Sequence, residues 1–233
     1  MQKIHAPIRA ILFDCNGIIS DDEPIHMRLF QKVLAEEKIT LSREEYYDKY
    51  LALDDRACFT QVLQEHKRNF SKPSVQKLID KKADYYQQTI ASEIRIFPGV
   101  KEFVKRHQDN YPMGVVSGAL RHEIDLILTH AGIISAYSVI VSTEDVKACK
   151  PDPEGYLLGW KLLNALPQFK KHPLKAEECL VIEDSVHGVQ AAIQAGMKCM
   201  AVTNSYPADQ LTHASTVVHS LKDVHIQDLT YVR

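Results

Sequence analysis

Apolar residues along this chain fall into two rhythms. The first is a set of short apolar runs: Ala10–Phe13, Met113–Val116, Ser138–Val141, Cys179–Ile182, Lys198–Val202 and a last short pair, Val217–Val218. Runs of this length closed by polar or glycine positions fit strands of a parallel sheet, buried on both faces. The second is helical spacing, which predicts helices over Val100–His107, Ile124–His130 stopped by Gly132, Tyr156–Leu163, and His187–Ala195 ending at Gly196. Strands alternating with helices imply a doubly wound α/β fold with right-handed crossovers. The texture differs between Pro24 and Ile94: glycine is absent, and Met27, Phe30, Val33 and Leu34, then Val62 and Leu63, then Leu78 and Ile79 recur at helical spacing. Breaks near Ile39–Ser42, Asp54–Asp55 and Phe70–Pro73 divide the segment. Ser42 followed by Glu45, and Ser74 after Pro73, are read as helix starts. A helical module of small-domain length is therefore inserted after the first strand.

Composition narrows the partners more than the fold. A chain of 233 residues with 45% hydrophobic and 25% charged residues is ordinary for a globular protein with a core and one further module. The formal net charge of −2 implies no general affinity for nucleic acid or anionic membrane. Met1–Arg9 contains no apolar leader core, and no run is long enough to span a bilayer. Cys15, Cys58, Cys149, Cys179 and Cys199 are odd in number with no C-x-x-C pair, which fits a reducing cytoplasm rather than a disulfide or zinc framework. A cytoplasmic monomer is the expectation.

The candidate chemistry lies where strands end. Asp14 follows the first run and Ser117 the second. Lys150 lies in the loop beyond the third, and Glu183 and Asp184 close the fourth. In a parallel sheet all these positions share one edge, where open α/β sheets bind ligands. Singly, each has an ordinary structural alternative: a surface lysine before Pro151, a helix cap at Ser117, a capping cluster at Glu183–Asp184. Together they form three carboxylates, one cation and one hydroxyl beside glycine-containing turns. Oxygen-only carboxylates suit a hard cation such as Mg²⁺. Ser117, Lys150 and loop N–H groups suit a phosphoryl group. Asp14 is then placed as a carboxylate nucleophile. Cys15 lacks the neighbouring arginine of a cysteine phosphatase and is read as a packed loop residue. The remaining histidines show no ligand spacing. The tyrosines Tyr46, Tyr47, Tyr50, Tyr85 and Tyr86 are read as core and surface of the helical module.

These residues resemble the motifs of the haloacid dehalogenase-like hydrolases, in the branch with a helical cap between the first and second motifs. Phe13-Asp14-Cys15-Asn16-Gly17 matches the first motif, and Asp21 to His26 the run into the cap. Ser117 matches the second motif, Lys150-Pro151-Asp152-Pro153 the third, and Val181 to Ser185 through Gly188 the fourth. The likeness covers nearly the whole chain and is nearest to beta-phosphoglucomutase-like and phosphoglycolate phosphatase-like members. It implies a Rossmann-like catalytic core over residues 1–22 and 95–233 and a cap over 23–94 that closes on a small phosphorylated metabolite, such as a sugar phosphate. It also implies Mg²⁺ and an aspartyl-phosphate intermediate. The implied catalytic residues are Asp14, Asn16, Ser117 and Lys150. The implied metal ligands are Asp14, Asn16 through its carbonyl, Glu183 and Asp184. The implied substrate contacts are Cys15, Gly17, Glu23, His26, Arg56, Gly118 and Ala119. One position departs from the family pattern: Asn16 stands where the general acid–base is normally an aspartate. An amide cannot protonate a leaving group or activate water, so turnover is expected to be weak. The alternatives are a catalytically impaired binder of metal and phosphate, and a haloacid dehalogenase, which would not need the Glu183–Asp184 pair.

Overall fold

The computed structural model describes residues 7–51 and 53–228; residues 1–6, within the stretch read for a leader, lie outside them. Two compact units divide the chain, one built from Met1–Asp21 with Ile96–Arg233 and the other from Asp22–Arg95.

In the first unit six strands form one sheet: β1 (Ala10–Phe13), β2 (Met113–Val116), β3 (Tyr137–Val141), β4 (Cys179–Glu183), β5 (Lys198–Val202) and β6 (Thr216–Val218). Every pairing is parallel, in the order β3-β2-β1-β4-β5-β6. The order reverses direction at β1, which pairs with β2 on one side and β4 on the other, and that reversal opens a crevice at the carboxyl ends of the strands. The apolar runs are as buried as their composition requires: Ala10 to Phe13 and Cys179 to Ile182 are fully inaccessible. The helices of this unit are numbered after the four of the inserted unit: α5 (Val100–His107), α6 (Arg121–Ala131), α7 (Glu154–Asn164) and α8 (Val186–Gln194). One core of Leu12, Val116, Val139, Val181 and Cys199 packs against Tyr156 and Leu163 of α7 and Val189 of α8. The chain leaves and re-enters this unit side by side, Ser20 bridging to Ile96 and the Phe97 N–H reaching the Ile19 carbonyl at 3.1 Å.

The inserted unit holds α1 (Glu23–Glu36), α2 (Arg43–Lys49), α3 (Asp55–Glu65) and α4 (Lys72–Glu93). Its own core joins Phe30, Val33, Leu34, Tyr46, Phe59, Val62, Leu78 and Ile79. Ser42 caps α2 by accepting from the Glu45 N–H, and Asp54 caps α3 by accepting from the Ala57 N–H. The helix start read at Ser74 is corrected. Helix α4 begins at Lys72, and Ser71 precedes it, its Oγ accepting from the Ser74 N–H at 3.3 Å and the Ser74 hydroxyl bonding back to the Ser71 carbonyl at 2.8 Å. Pro73 sits in the first turn of this helix, where its missing N–H costs nothing, so it does not mark the boundary.

Candidate active site

Strand β1 hands its last ladder bond to the site: the Asp14 N–H donates to the Ile182 carbonyl at 2.9 Å, which sets Asp14 beside the end of β4. The chain then turns sharply. The amides of Ile18, Ile19 and Ser20 all point at the Cys15 carbonyl, and the Gly17 N–H bonds the Ser20 carbonyl at 2.8 Å. Gly17 has φ +81°, and a β-carbon there would lie 2.0 Å from Oδ2 of Asp184. Glycine is thus required both by the turn and by the approach of that carboxylate. Cys15 is fully buried, as a packed loop residue should be, and its N–H donates to the Asp14 carboxylate.

Lys150 joins the two ends of the site. Its ammonium lies 2.7 Å from Oδ1 of Asp14 and 2.6 Å from Oε1 of Glu183, with the Tyr156 ring centroid 5.0 Å away. Glu183 is fully buried and saturated with donors. Oε1 accepts from Lys150 and from the Tyr156 hydroxyl at 2.8 Å, and Oε2 accepts from the Asp184 and Ser185 N–H groups and the Ser185 hydroxyl. Ser185 in turn caps α8 through the Gly188 N–H. Asp184 accepts from the Ser205 hydroxyl on Oδ2, and Asn204 donates to the Gly17 carbonyl at 2.6 Å. From β2, the Ser117 hydroxyl donates to Oδ1 of Asn16 at 3.2 Å and accepts from the Ala119 N–H at 3.1 Å. Gly118, between them, is exposed.

The charges in this cluster do not balance. Asp14, Glu183 and Asp184 each bring a carboxylate oxygen to within 4.8 Å of the others, all three residues are buried, and one ammonium bonds the group. Burial and the Glu183 charge push Asp14 up to about 7, against the pull of Lys150. Burial and then the charges of Glu183 and Asp14 raise Asp184 well above the usual carboxylate range. Glu183 moves the other way: its burial is outweighed by Lys150 and the surrounding donors, and it stays ionised. Lys150 is held charged by Asp14 and Glu183 despite its own burial. Two carboxylates in excess of the available cation, hard in ligand type and held at close range, fit a divalent ion.

The sequence-read residues thus divide between the units. Asp14, Cys15, Asn16, Gly17, Ser117, Gly118, Ala119, Lys150, Glu183 and Asp184 all stand at the carboxyl edge of the sheet. Glu23, His26 and Arg56 belong to the inserted unit. There Glu23 accepts from the Tyr46 hydroxyl, and the exposed Arg56 bonds Gln76 at 2.6 Å. His26 sits in a buried network: Nδ1 is 2.8 Å from the Lys82 ammonium, and Nε2 is 3.3 Å from Asp22. Lys82, 1% exposed at its side chain, also bonds Asp55 at 2.6 Å, and the Tyr86 hydroxyl bonds Asp22 at 2.6 Å. Tyr46, Tyr50 and Tyr86 are buried, while Tyr47 and Tyr85 lie at the margin of the core. Sequence reading missed Tyr156, Asn204 and Ser205 at the sheet edge, and Lys82 with Asp55 in the helical unit. Asn204 and Ser205 follow a strand adjacent to β4, so the same edge rule that located Asp184 applied to them.

A family model described as haloacid dehalogenase-like hydrolase matches residues 11–202. Validoxylamine A 7'-phosphate phosphatase of Streptomyces hygroscopicus subsp. limoneus is 26% identical over 226 residues, covering 97% of this chain and 96% of that protein. The chloroplastic 5-amino-6-(5-phospho-D-ribitylamino)uracil phosphatase of Arabidopsis thaliana is 27% identical over 226 residues. That alignment takes in 94% of this chain, which spans only 56% of the plant protein's length. The crystal structure of beta-phosphoglucomutase from Clostridium difficile superposes with a TM-score of 0.80 at 23% identity, over 94% of each chain, a likeness of fold.

Proposed function

The chain belongs to the haloacid dehalogenase-like hydrolase family, and on that premise we propose that it is a Mg²⁺-dependent phosphohydrolase or phosphotransferase acting on a small phosphorylated metabolite through phospho-Asp14. The observation that carries the reading is the buried edge cluster in which one ammonium, Lys150, bonds two of three neighbouring carboxylates. Such a cluster must retain protons or gain further positive charge, and it offers a phosphoryl group both a nucleophile and a cation. By their names, two related phosphatases act on a phosphoribitylamino uracil and on validoxylamine A 7'-phosphate, which favours a phosphate ester of a small organic molecule as substrate.

In this reading Asp14 attacks phosphorus, the ester P–O bond breaks, and the organic alkoxide leaves. Water then attacks the phospho-aspartate, releasing inorganic phosphate and regenerating the carboxylate. A phosphotransferase would use a substrate hydroxyl in place of water. Lys150 holds Asp14 aimed and pulls it toward its ionised form against the effect of burial, and with Ser117, Gly118 and Ala119 it takes the phosphoryl oxygens. Asp14, Asp184 and the Asn16 carbonyl hold the metal, with Glu183 beside them. When bound, Mg²⁺ neutralises the carboxylates and the phosphoryl charge. The segment 23–94 acts as a cap that selects the organic part of the substrate, with Glu23, His26 and Arg56 as contacts. Asn16 cannot donate or take the proton that the leaving oxygen and the water require, so turnover is slow. A second reading, a binder of metal and phosphate without useful turnover, is favoured by that same amide.

The test is a panel of phosphomonoesters, with and without Mg²⁺, run on the chain and on Asp14→Asn, with acid-quenched peptides weighed for phosphate on Asp14. The proposal expects Mg²⁺-dependent phosphate release and a phosphorylated Asp14 peptide, both lost in Asp14→Asn. Binding without release supports the second reading. Release that survives Asp14→Asn overturns both.

A further inference from the structure

We propose that Asn204 and Ser205, on the turn that leaves β5, are positioning residues of the acidic site. Asn204 fixes the nucleophile loop, and Ser205 fixes which oxygen Asp184 presents. The second role rests on the metal reading above.

Asn and Ser are common in turns because their side chains bond the backbone two or three residues away. These two do otherwise. Asn204 spans 187 positions to donate its amide to the Gly17 carbonyl at 2.6 Å, and Ser205 spans 21 positions to donate to Oδ2 of Asp184. The turn that carries them is itself anchored. The Thr203 N–H bonds the Val218 carbonyl of β6 at 3.0 Å, and the Asn204 N–H bonds the Val202 carbonyl at 2.9 Å. The support is therefore rigid, which a positioning role demands.

Oδ2 of Asp184 is the carboxylate oxygen that would lie closest to a β-carbon on Gly17, so it is held between that glycine and the Ser205 hydroxyl. Oδ1 is then the oxygen left to meet a cation. Without Ser205 the carboxylate can rotate and offer either oxygen. Asn204 acts one step further away. The Gly17 carbonyl belongs to the turn that carries Asn16, which closes on itself through the Cys15 and Ser20 carbonyls. Ser117 at Asn16 and the Phe97 N–H at the Ile19 carbonyl tie that turn to other segments, and Asn204 adds a tie at Gly17 from the turn after β5. Neighbouring strands supply Asp14 and Asp184, and one turn from a third strand clamps the segments bearing both. Hydrogen bonds of this outer kind typically carry about 10–100-fold in metal affinity.

The experiment is calorimetric titration of the metal-free chain with Mg²⁺, beside Ser205→Ala, Ser205→Thr and Asn204→Ala, with hydrogen exchange of the Cys15–Ser20 peptide measured without metal. Ser205→Ala should bind Mg²⁺ about tenfold more weakly. Ser205→Thr, which keeps the hydroxyl, should restore most of that affinity. Asn204→Ala should speed amide exchange at Gly17 to Ser20 by about tenfold with the thermal midpoint of the metal-free protein little changed. Wild-type affinity in Ser205→Ala, or equal losses in the alanine and threonine variants, overturns the role of Ser205. Unchanged exchange in Asn204→Ala overturns that of Asn204. If the wild type binds no Mg²⁺, the metal reading falls and the role of Ser205 with it, while the exchange result still decides Asn204.

Discussion

At position 16 an amide oxygen accepts from Ser117, the turn around it is internally bonded, and the flanking Asp14 is aimed by Lys150. Aspartate is nearly the same shape and can accept the same bond. Asn16→Asp is therefore expected to leave thermal stability almost unchanged and to raise phosphate release by about 10²–10⁴-fold, the usual size of an acid–base contribution. Equal turnover in the two forms, measured on protein whose mass confirms the amide, would mean that another group moves the proton. An Asn-Gly pair is also prone to deamidation, in which the glycine nitrogen attacks the side-chain carbonyl, ammonia leaves, and water reopens the ring to a carboxylate. Here the Gly17 N–H is engaged by the Ser20 carbonyl at 2.8 Å and the Asn16 side chain by Ser117. The folded chain is expected to keep its amide over an incubation in which the urea-unfolded chain loses it, as read from the unit mass gain of the Asn16 peptide. Equal rates in the two states would show that the turn gives no protection.

At the scale of elements, the join between β4 and α8 does most to hold the site. Glu183 ends the strand, Ser185 caps the helix, and the first helical turn approaches so closely that a β-carbon on Gly188 would lie 1.8 Å from Oε1 of Glu183. Gly188→Ala is expected to cost about 1–3 kcal/mol by overpacking. It should also displace Glu183 from Lys150, lowering turnover more than a comparable loss of stability elsewhere. Denaturant unfolding and kinetics on the same preparation check both, and a loss of stability without loss of activity would separate the helix start from the site. This is also the scale at which the sequence is most legible. Strand ends are readable because polar groups that close successive apolar runs share one sheet edge, and so Asp14, Ser117 and Asp184, with Lys150 in the loop beyond β3, stand out as a set although each alone has an ordinary alternative. Tyr156 does not, since it sits within an apolar helical stripe and nothing in the spacing separates a core ring from one whose hydroxyl reaches Glu183. Asn204 and Ser205 read as turn residues because their type is what turns use, and their partners lie far away in sequence. Lys82 likewise looks like one lysine among the charged residues of α4 until the fold shows it buried against His26 and Asp55.

At the scale of the molecule, strand order decides why the charge collects where it does. Reversal at β1 brings the ends of β1, β2 and β4 to one crevice, and each contributes a polar terminus that the sheet then buries. The cost of that burial sets a pH dependence. Unfolded, Asp14 and Asp184 titrate near the ordinary value of 3.8, whereas in the folded, metal-free chain Asp14 is pushed up to about 7 and Asp184 well above its usual range. The folded state therefore holds more protons than the unfolded state between these limits. Stability from the pair is present at low pH and is lost as pH rises through the folded values. Glu183, held below its usual value, acts in the opposite sense but only in the acid range, where it loses its ion pair. A divalent ion bound by Asp14 and Asp184 has to displace the retained protons, so its affinity should rise with pH across the same interval. Thermal unfolding with Mg²⁺ and with chelator, at pH values well below and well above 7, should show two trends. The chelated protein should lose stability on going to higher pH, and the upward shift produced by Mg²⁺ should grow, following the linkage between ligand excess and stability. In Asp184→Ala the Mg²⁺ shift should be largely gone at every pH. A shift of constant size across the range would mean that the ion binds without displacing protons, and the acidic cluster would then not be its site.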